Sequence, residues 1–219
     1  MSVAPESEKV RLAGPAGPLE GLHEWPSEWP SKGKPIGVAV ICHPHPLHGG
    51  TMGNKVTHTL ARAFVNRQFA ALRFNFRGVG ESAGSFDNGR GELADTIAAI
   101  RWLSDRYPGT SLWLAGFSFG AAIAIAAAAE RGAEGLVSVA PAMSRIGNLA
   151  GPMPTCPWLV VQGDKDELVD VDETIAWLNG LDAGPDLQVF SGTEHFFHGK
   201  LVPLRAAVET FIGEHIKSV

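Results

Sequence analysis

Cysteine and positive charge are both scarce in this sequence. Its 219 residues include two cysteines, Cys42 and Cys156, which is too few for a disulfide framework or a cysteine-based zinc cluster. The formal net charge is -5, and no run of lysine and arginine is present to attract a phosphate backbone. We therefore expect a reduced, cytoplasmic protein that does not bind nucleic acid.

Long apolar segments are missing as well. Residues 1–12 carry acidic side chains and no apolar stretch, unlike a secretory signal peptide. No later run approaches the roughly 20 apolar residues that span a bilayer, and no repeat, linker or low-complexity tract divides the chain. We therefore expect residues 1–219 to form a single domain that has no membrane partner.

Apolar segments alternate with segments of helical periodicity through most of the chain. Strands covered on both faces are predicted at residues 36–42, 70–76, 112–115, 135–140, 158–162 and 187–191. Helices are predicted from the spacing of apolar positions at residues 54–67, 93–103, 120–129, 172–178 and 201–217. This alternation predicts an α/β fold with a mostly parallel sheet and helices on both faces. Residues 10–13 and 19–25 flank a Gly/Pro loop and predict an N-terminal antiparallel hairpin, whereas residues 1–9 are expected to be loose.

The segment 112–129 joins an apolar strand to an apolar helix through a G-x-S-x-G pentapeptide, Gly116 to Gly120. The pentapeptide alone is common by chance, but a strand before it and a helix after it are the context of a nucleophile elbow. The two glycines let strand and helix approach closely. Ser118 is then expected at a strained turn, with its hydroxyl exposed as the nucleophile.

Two further strand ends carry the residues that an activated serine needs. Asp166 follows the strand at 158–162, and His195 follows the strand at 187–191. Active groups of open α/β sheets lie beyond the carboxyl ends of the strands, and the order Ser, Asp, His is that of α/β-hydrolases. We expect His195 to take the proton of Ser118 and Asp166 to hold the imidazole.

Both assignments have competitors in the same loops. His198 competes with His195, which is favoured because it lies nearer to the strand end. Loop acids are commonly only solvated, and three of them compete with Asp166: Asp164, Glu167 and Asp170.

Two backbone N–H groups are expected to stabilise the oxyanion of an acyl-transfer reaction. One belongs to Phe119, directly after the nucleophile. The other is expected from the loop 43–50, HPHPLHGG. Because proline has no N–H, the choice there is His45 or Leu47, and His45 is favoured.

The site is expected to be open and shallow. Only about 17 residues, 141–157, separate two predicted strands, a length that suits a loop better than a helical lid. Small or solvent-exposed acyl groups would fit such a site. Its rim is predicted to consist of Leu47, Met52, Phe117, Phe119, Met143 and Phe196.

Two segments give weak signals for a metal or a cofactor site. His43, His45 and His48 match part of the H-x-H-x-D-H zinc motif of metallo-β-lactamase-like hydrolases. Leu47 stands where that motif has its aspartate, and the alternating chain does not suit a β-sandwich. The segment 78–83, GVGESA, lacks the third glycine of a dinucleotide fingerprint, so it reads as a turn braced by Arg77 with Glu81 or Asp87. No metal and no cofactor are expected.

Five segments in consecutive order, covering roughly residues 36–212, resemble a bacterial family of small, lidless α/β-hydrolases related to dienelactone hydrolase. They are HPHPLHGGTMGNKV, LRFNFRGVGESAGSFDNGRGELAD, GFSFG, QGDKDELV and EHFFHG. The resemblance implies an α/β-hydrolase fold without a cap domain and a triad of Ser118, Asp166 and His195. Dienelactone hydrolases proper use a cysteine nucleophile, so the serine here departs from that activity.

These features predict a serine hydrolase that acts through an acyl-enzyme. The expected partner is a small-molecule carboxylic ester, or a thioester. A peptidase or an acyltransferase on the same triad is one alternative, and a non-catalytic binding module is another. A homodimer through the edge strand or the loop of Trp25 and Trp29 is left open.

Overall fold

A single mixed sheet organises the part of the chain that the computed structural model describes, residues 5–29, 34–143 and 152–216. It has eight strands in the order β1-β2-β4-β3-β5-β6-β7-β8. The strands are β1 (Glu6–Gly14), β2 (Gly17–Trp25), β3 (Gly37–Cys42), β4 (Phe69–Phe74), β5 (Ser111–Phe117), β6 (Gly135–Val139), β7 (Trp158–Gly163) and β8 (Asp186–Phe190). The helices are α1 (Lys55–Asn66), α2 (Arg90–Arg106), α3 (Phe119–Arg131), α4 (Val171–Asn179) and α5 (Leu201–His215), with a short 3₁₀ helix at Pro46–His48.

Strand direction follows the prediction. β3 pairs in parallel with β4 and β5, and β5 to β8 continue the parallel part of the sheet. β1 and β2 form an antiparallel hairpin, and β2 joins the sheet antiparallel to β4. The carboxyl ends of β3, β5, β7 and β8 therefore lie at one edge of the sheet, where the loops that carry the candidate site residues begin.

The core has two apolar layers, one on each face of the sheet. β3 is buried along its whole length, with Val38 and Val40 in one layer and Ala39 and Ile41 in the other. Helices α2 and α3 contribute to the first layer, and α1 and α5 to the second. Because successive strand residues point to opposite faces, a strand covered on both sides must be apolar at every position, as the run IGVAVIC is.

Helix α3 is apolar around nearly its whole circumference because it is buried beneath the site. Alanine and isoleucine occupy most of its length, and nine of its 13 residues are buried. Alanine is the strongest helix former and has the smallest side chain that still favours a helix, so α3 packs close to the sheet. The helix ends at Gly132, which adopts the left-handed conformation with φ 67°.

The N-terminal hairpin differs from the prediction in its length. Residues 6–9, expected to be loose, belong to β1, where Glu6 pairs with Trp25 and Lys9 with Leu22. Their sequence is polar and has no apolar pattern that would predict a strand. They are extended because they form backbone hydrogen bonds with β2. Of the predicted loop 26–35, residues 30–33 lie outside the described part of the chain, as does the end of the predicted helix 201–217.

The bracing of Arg77 agrees with the prediction only in part. Its guanidinium makes a bidentate ion pair with Asp95 of α2, at 2.8 and 3.0 Å, and lies 3.9 Å from Asp87. Glu81 pairs instead with Arg11 of the hairpin. The turn is thus tied to α2, a partner that only the folded topology brings near.

Within the described residues, no helix combines the length and the apolar character needed to cross a membrane.

Candidate active site

Ser118 lies at a strained turn between β5 and α3. Its φ of 57° and ψ of -120° are costly for a residue with a side chain. The turn is held by backbone hydrogen bonds: Ser118 N–H donates to the carbonyl of Val139 at 2.9 Å, and Ser118 O accepts from Ala121 and Ala142 at 3.0 and 3.2 Å. Neighbouring elements on two sides therefore fix the position of the serine.

Both flanking glycines stand where no side chain fits. A Cβ on Gly116 would collide with the backbone of Gly120, and a Cβ on Gly120 would collide with the carbonyl oxygens of Cys42 and His43. The close approach of strand and helix expected from the sequence is confirmed. It also draws the loop after β3 against the start of α3.

The carboxylate of Asp166 is saturated with hydrogen bonds. Oδ1 accepts from the N–H groups of Leu168 and Val169 at 2.9 and 2.8 Å. Oδ2 accepts from Gln162 Nε2 at 3.0 Å and from His195 Nδ1 at 2.8 Å. Burial raises the pKa of Asp166, but the hydrogen bonds from His195, Val169 and Leu168 outweigh it, so the pKa lies below its ordinary value. Asp166 is therefore a carboxylate at neutral pH.

His195 is almost fully buried, at 2% exposure. Its backbone N–H donates to Glu167 Oε2 at 3.1 Å, and its ring packs 4.9 Å from the ring of Phe117 and edge-on to Phe196. Because Nδ1 faces an ionised carboxylate, Nδ1 carries the proton of the neutral imidazole. Nε2 is then the basic nitrogen, as a general base requires.

Ser118 and His195 line one cavity of about 90 Å³ at this edge of the sheet. Ser118 is 9% exposed. The described lining consists of Pro44, His45, His48, Gly49, Gly50, Asn54, Ser118, Ala142, Leu168, Val169, His195 and Phe196. The structure thus brings the predicted serine and the Asp166–His195 pair to the same place.

The three competing acids of the loop after β7 accept hydrogen bonds from backbone N–H groups. Asp164 Oδ1 accepts from Gly192 N–H at 2.6 Å, which ties the β7 loop to the β8 loop. Asp170 Oδ1 accepts from Glu173 N–H and begins α4. Glu167 holds the backbone of His195. These contacts leave Asp166 as the carboxylate that bonds to the His195 ring.

The two expected oxyanion donors lie beside the serine. Phe119 is the first residue of α3, where the N–H groups have no partner within the helix. His45 lines the cavity, and its ring packs 4.9 Å from that of Phe119. The alternative, Leu47, donates its N–H to His45 Nδ1 at 3.2 Å. This bond engages the N–H of Leu47, which counts against Leu47 as the second donor.

The predicted rim is only partly reproduced by the described lining. Phe196 lines the cavity and is 40% exposed. The other predicted positions lie elsewhere: Phe117 and Phe119 are fully buried, Leu47 is exposed outside the lining, Met143 packs against the core, and the backbone of Met52 bonds to Asn75 and Arg73. Apolar lining comes instead from Ala142, Leu168 and Val169. The signal for two of these was their place just after Asp166 in GDKDELV.

The histidines of the loop after β3 do not form the arrangement of the zinc motif. Phe76 N–H donates to His43 Nε2 at 3.1 Å, and His43 Nδ1 lies 2.6 Å from the carbonyl of Pro44. Both ring nitrogens of His43 are thus bonded to the backbone, while the rings of His45 and His48 stack on each other. Among the described residues, no group of three or more His, Cys, Asp or Glu is placed to hold a metal ion.

Cys42 behaves as a core thiol. It is fully buried, and its Sγ lies 3.6 Å from Thr96 Oγ1. Burial raises the pKa of Cys42 to about 12, so the thiolate that a cysteine nucleophile needs does not form at neutral pH.

The hydrogen bonds of His43 make the fold sensitive to acid. Nε2 accepts from Phe76 N–H, so protonating it would set two donors face to face. Burial lowers the pKa of His43 to about 4. Between pH 6.5 and 4, this histidine is protonated in the unfolded chain but not in the folded chain. As the pH is lowered through this range, the free energy of unfolding therefore decreases by about 3 kcal/mol in total.

Urea unfolding at several pH values checks this expectation. In His43→Gln, the free energy of unfolding should fall less between pH 6.5 and 4 than in the wild type. The exposed His48→Gln should keep the wild-type slope. His23, whose pKa burial also lowers to about 4, acts in the same window and stays in both variants. Equal slopes for His43→Gln and the wild type would contradict the role of His43.

Comparison with known proteins finds relatives among the α/β serine hydrolases. A family model described as serine aminopeptidase, S33, matches residues 34–156. A serine hydrolase without a lid from Xanthomonas campestris is 39% identical, with a TM-score of 0.89 over 100% of this chain and 99% of that one. A serine hydrolase homologue from Coxiella burnetii is 40% identical, with a TM-score of 0.86 over 96% and 99% of the two chains. An uncharacterised protein of Rickettsia prowazekii is 34% identical over 93% of this chain and 88% of its own length.

The fold and the glycine-flanked serine turn define an α/β serine hydrolase. Within that class, the chain belongs to the family described as serine aminopeptidase, S33. The α/β-hydrolase fold expected from the sequence, with its N-terminal antiparallel pair, is confirmed. Residues 140–157 connect β6 to β7, the position where a cap would be inserted, and 144–151 of them lie outside the described residues.

Proposed function

We propose that this protein is a serine esterase that cleaves carboxylic esters, or thioesters, through an acyl-enzyme. Ser118 is the nucleophile, His195 the general base and Asp166 the carboxylate that orients it. The observation that carries the proposal is the 2.8 Å pair of Asp166 Oδ2 and His195 Nδ1, buried beside the cavity that Ser118 also lines.

The proposed reaction begins as Ser118 Oγ attacks the ester carbonyl carbon while His195 Nε2 takes the hydroxyl proton. The negative charge that develops on the carbonyl oxygen is stabilised by the N–H groups of Phe119 and His45. When the tetrahedral intermediate collapses, His195 gives its proton to the leaving alcohol or thiol. In the second half of the reaction, His195 Nε2 takes a proton from a water molecule that attacks the acyl-enzyme, and it returns that proton to Ser118 Oγ as the carboxylic acid leaves. Asp166 stabilises the imidazolium in each half.

The size and lining of the cavity favour a small acyl group. Its volume of about 90 Å³ is well below the ~300–1,000 Å³ of pockets that enclose drug-sized ligands. Ala142, Leu168, Val169 and Phe196 give it an apolar side. A short acyl chain fits in contact with these residues, whereas a longer one must extend into solvent.

A peptidase acting on free N-termini is the second candidate, since the matching family model is described as a serine aminopeptidase. Such an enzyme must hold the ammonium group of its substrate, for which a carboxylate at the site is the natural partner. The described lining of the cavity consists of apolar, imidazole, amide and hydroxyl side chains and backbone glycine, with no Asp or Glu. That lining suits an uncharged ester better than a substrate ammonium.

Active-site labelling and a substrate panel test the proposal. A fluorophosphonate probe should label the wild type and Ser191→Ala, an exposed serine outside the lining, but not Ser118→Ala. Along p-nitrophenyl acetate, butyrate and octanoate, we expect kcat/KM to rise by about tenfold from acetate to butyrate, because two further methylenes in contact with the apolar side add about 1–2 kcal/mol. It should rise no further at octanoate, whose added methylenes extend into solvent.

The same assays separate the alternatives. No labelling of the wild type would reject catalysis by Ser118 and leave a binding module. Labelling together with faster hydrolysis of alanine p-nitroanilide than of any ester would replace the esterase with an aminopeptidase.

A further inference from the structure

Gln162 is a buried amide in contact with the candidate acid. It is the residue before last in β7 and is fully buried. Its Nε2 donates to Asp166 Oδ2 at 3.0 Å, the same oxygen that accepts from His195 Nδ1. Its Oε1 is buried and has no hydrogen-bond partner among the described residues. The amide nitrogen thus donates to Asp166 and, at 3.4 Å, to the carbonyl of Gly163, and the amide oxygen is left unpaired.

The orientation of this amide follows from electrostatics. A flipped amide would point Oε1 at an ionised carboxylate oxygen, so the nitrogen must face Asp166. An unpaired buried carbonyl lowers stability, and an apolar side chain of the same size would avoid that loss. Stability alone therefore does not account for a glutamine at position 162.

We propose that Gln162 is a positioning residue that fixes the Asp166 carboxylate and tempers its attraction for protonated His195. This inference rests on the proposed esterase function. Two donors share the lone pairs of Oδ2, and the amide N–H withdraws part of the negative charge that His195 would otherwise meet. The imidazolium is held firmly enough to form during the reaction and loosely enough to return its proton to the leaving group.

The other polar and charged groups of the surrounding loops stay unchanged in the test. Those of the β7 loop are Asp164 and Glu167, those across the cavity are His45 and His48, and those of the β8 loop are Glu194 and His198. Among the described residues, only Gln162 and His195 bring a side-chain donor to the Asp166 carboxylate. Changing position 162 therefore alters the charge at Oδ2 and leaves this surrounding field in place.

Gln162→Met removes the donor and keeps the volume of the side chain. We expect kcat on p-nitrophenyl butyrate to fall about 3- to 10-fold, with KM within about twofold, because Asp166 orients His195 less well. The acid limb of the kcat/KM profile, which reports the catalytic base, should move up by about 0.5 pH unit, since Oδ2 now attracts the imidazolium more strongly. Gln162→Asn, which withdraws the amide by one methylene, should shift the limb in the same direction and serves if the methionine variant does not fold.

Ser138→Ala is the matched control. Ser138 is a buried polar residue of the neighbouring strand β6, and its Oγ accepts from Trp158 Nε1 at 3.0 Å. Its loss should lower thermal stability and leave the acid limb in place. If the limb of both Gln162 variants coincides with that of the wild type, the proposal is overturned.

Proton NMR gives a readout that does not depend on substrate. The far-downfield resonance of the His195 Nδ1 proton should move further downfield in Gln162→Met, since Asp166 Oδ2 no longer shares its lone pairs. If the probe still labels the enzyme but neither this resonance nor the acid limb moves, the role of Gln162 is rejected and the esterase function is not. An unlabelled wild type would instead reject the esterase function.

Discussion

Alanine in place of Ser118 or His195 is expected to lower kcat for ester hydrolysis by about 10⁶-fold, the scale found when the nucleophile or base of such a triad is removed. Without His195 the Ser118 hydroxyl keeps its proton, and without Ser118 no acyl-enzyme forms. The double variant should be no slower than either single one, because the two groups act in one proton transfer. Single-turnover and steady-state assays with p-nitrophenyl acetate measure both effects.

Asp166→Asn should cost about 10⁴-fold in kcat with little change in KM, because an amide favours the wrong tautomer of the imidazole. His198→Ala is the control for the loop, since His198 lies outside the described lining and should keep nearly full activity. Additive losses in the double Ser118→Ala/His195→Ala variant, or a loss in His198→Ala as large as in His195→Ala, would show that these residues are not the catalytic unit.

The candidate site residues can be proposed from the sequence by local rules. The turn at Ser118 follows from a buried strand, two glycines and a buried helix that are contiguous in the chain. Asp166 and His195 follow from the rule that functional groups stand at the carboxyl ends of strands, which gives their position without any knowledge of distance. The 2.8 Å contact between them adds the geometry that the rule lacks.

The parts that the sequence misses depend on where distant elements meet. Besides the predicted Asp87, Arg77 pairs more closely with Asp95 on α2, and the apolar side of the cavity uses Leu168 and Ala142 from different loops. Gln162 left a faint signal: it is the polar residue that ends the apolar run WLVVQ, four positions before the acid. The role of Gln162 depends on the direction of its buried amide, and periodicity in the sequence does not give the direction of a side chain at a strand end.

Gly120→Ala should abolish folding or lower the free energy of unfolding by more than about 4 kcal/mol, a loss seen only for severe steric or polar defects. The added Cβ would overlap the carbonyl oxygens of Cys42 and His43. Those atoms belong to the last residue of β3 and the residue after it, and β3 is buried on both faces between β4 and β5, so they have nowhere to move. Relief would require α3 to shift away from the sheet, and the Ser118 turn would shift with it.

Gly132→Ala separates this clash from the general effect of losing a glycine. Gly132 ends the same helix in the left-handed conformation, and a Cβ there would meet no atom within 4 Å, so the variant should lose only about 1–2 kcal/mol from backbone strain. Urea unfolding of the two variants beside the wild type gives the comparison. Similar losses would mean that β3 and α3 have room to separate, and that the close approach of these two elements does not hold the Ser118 turn in place.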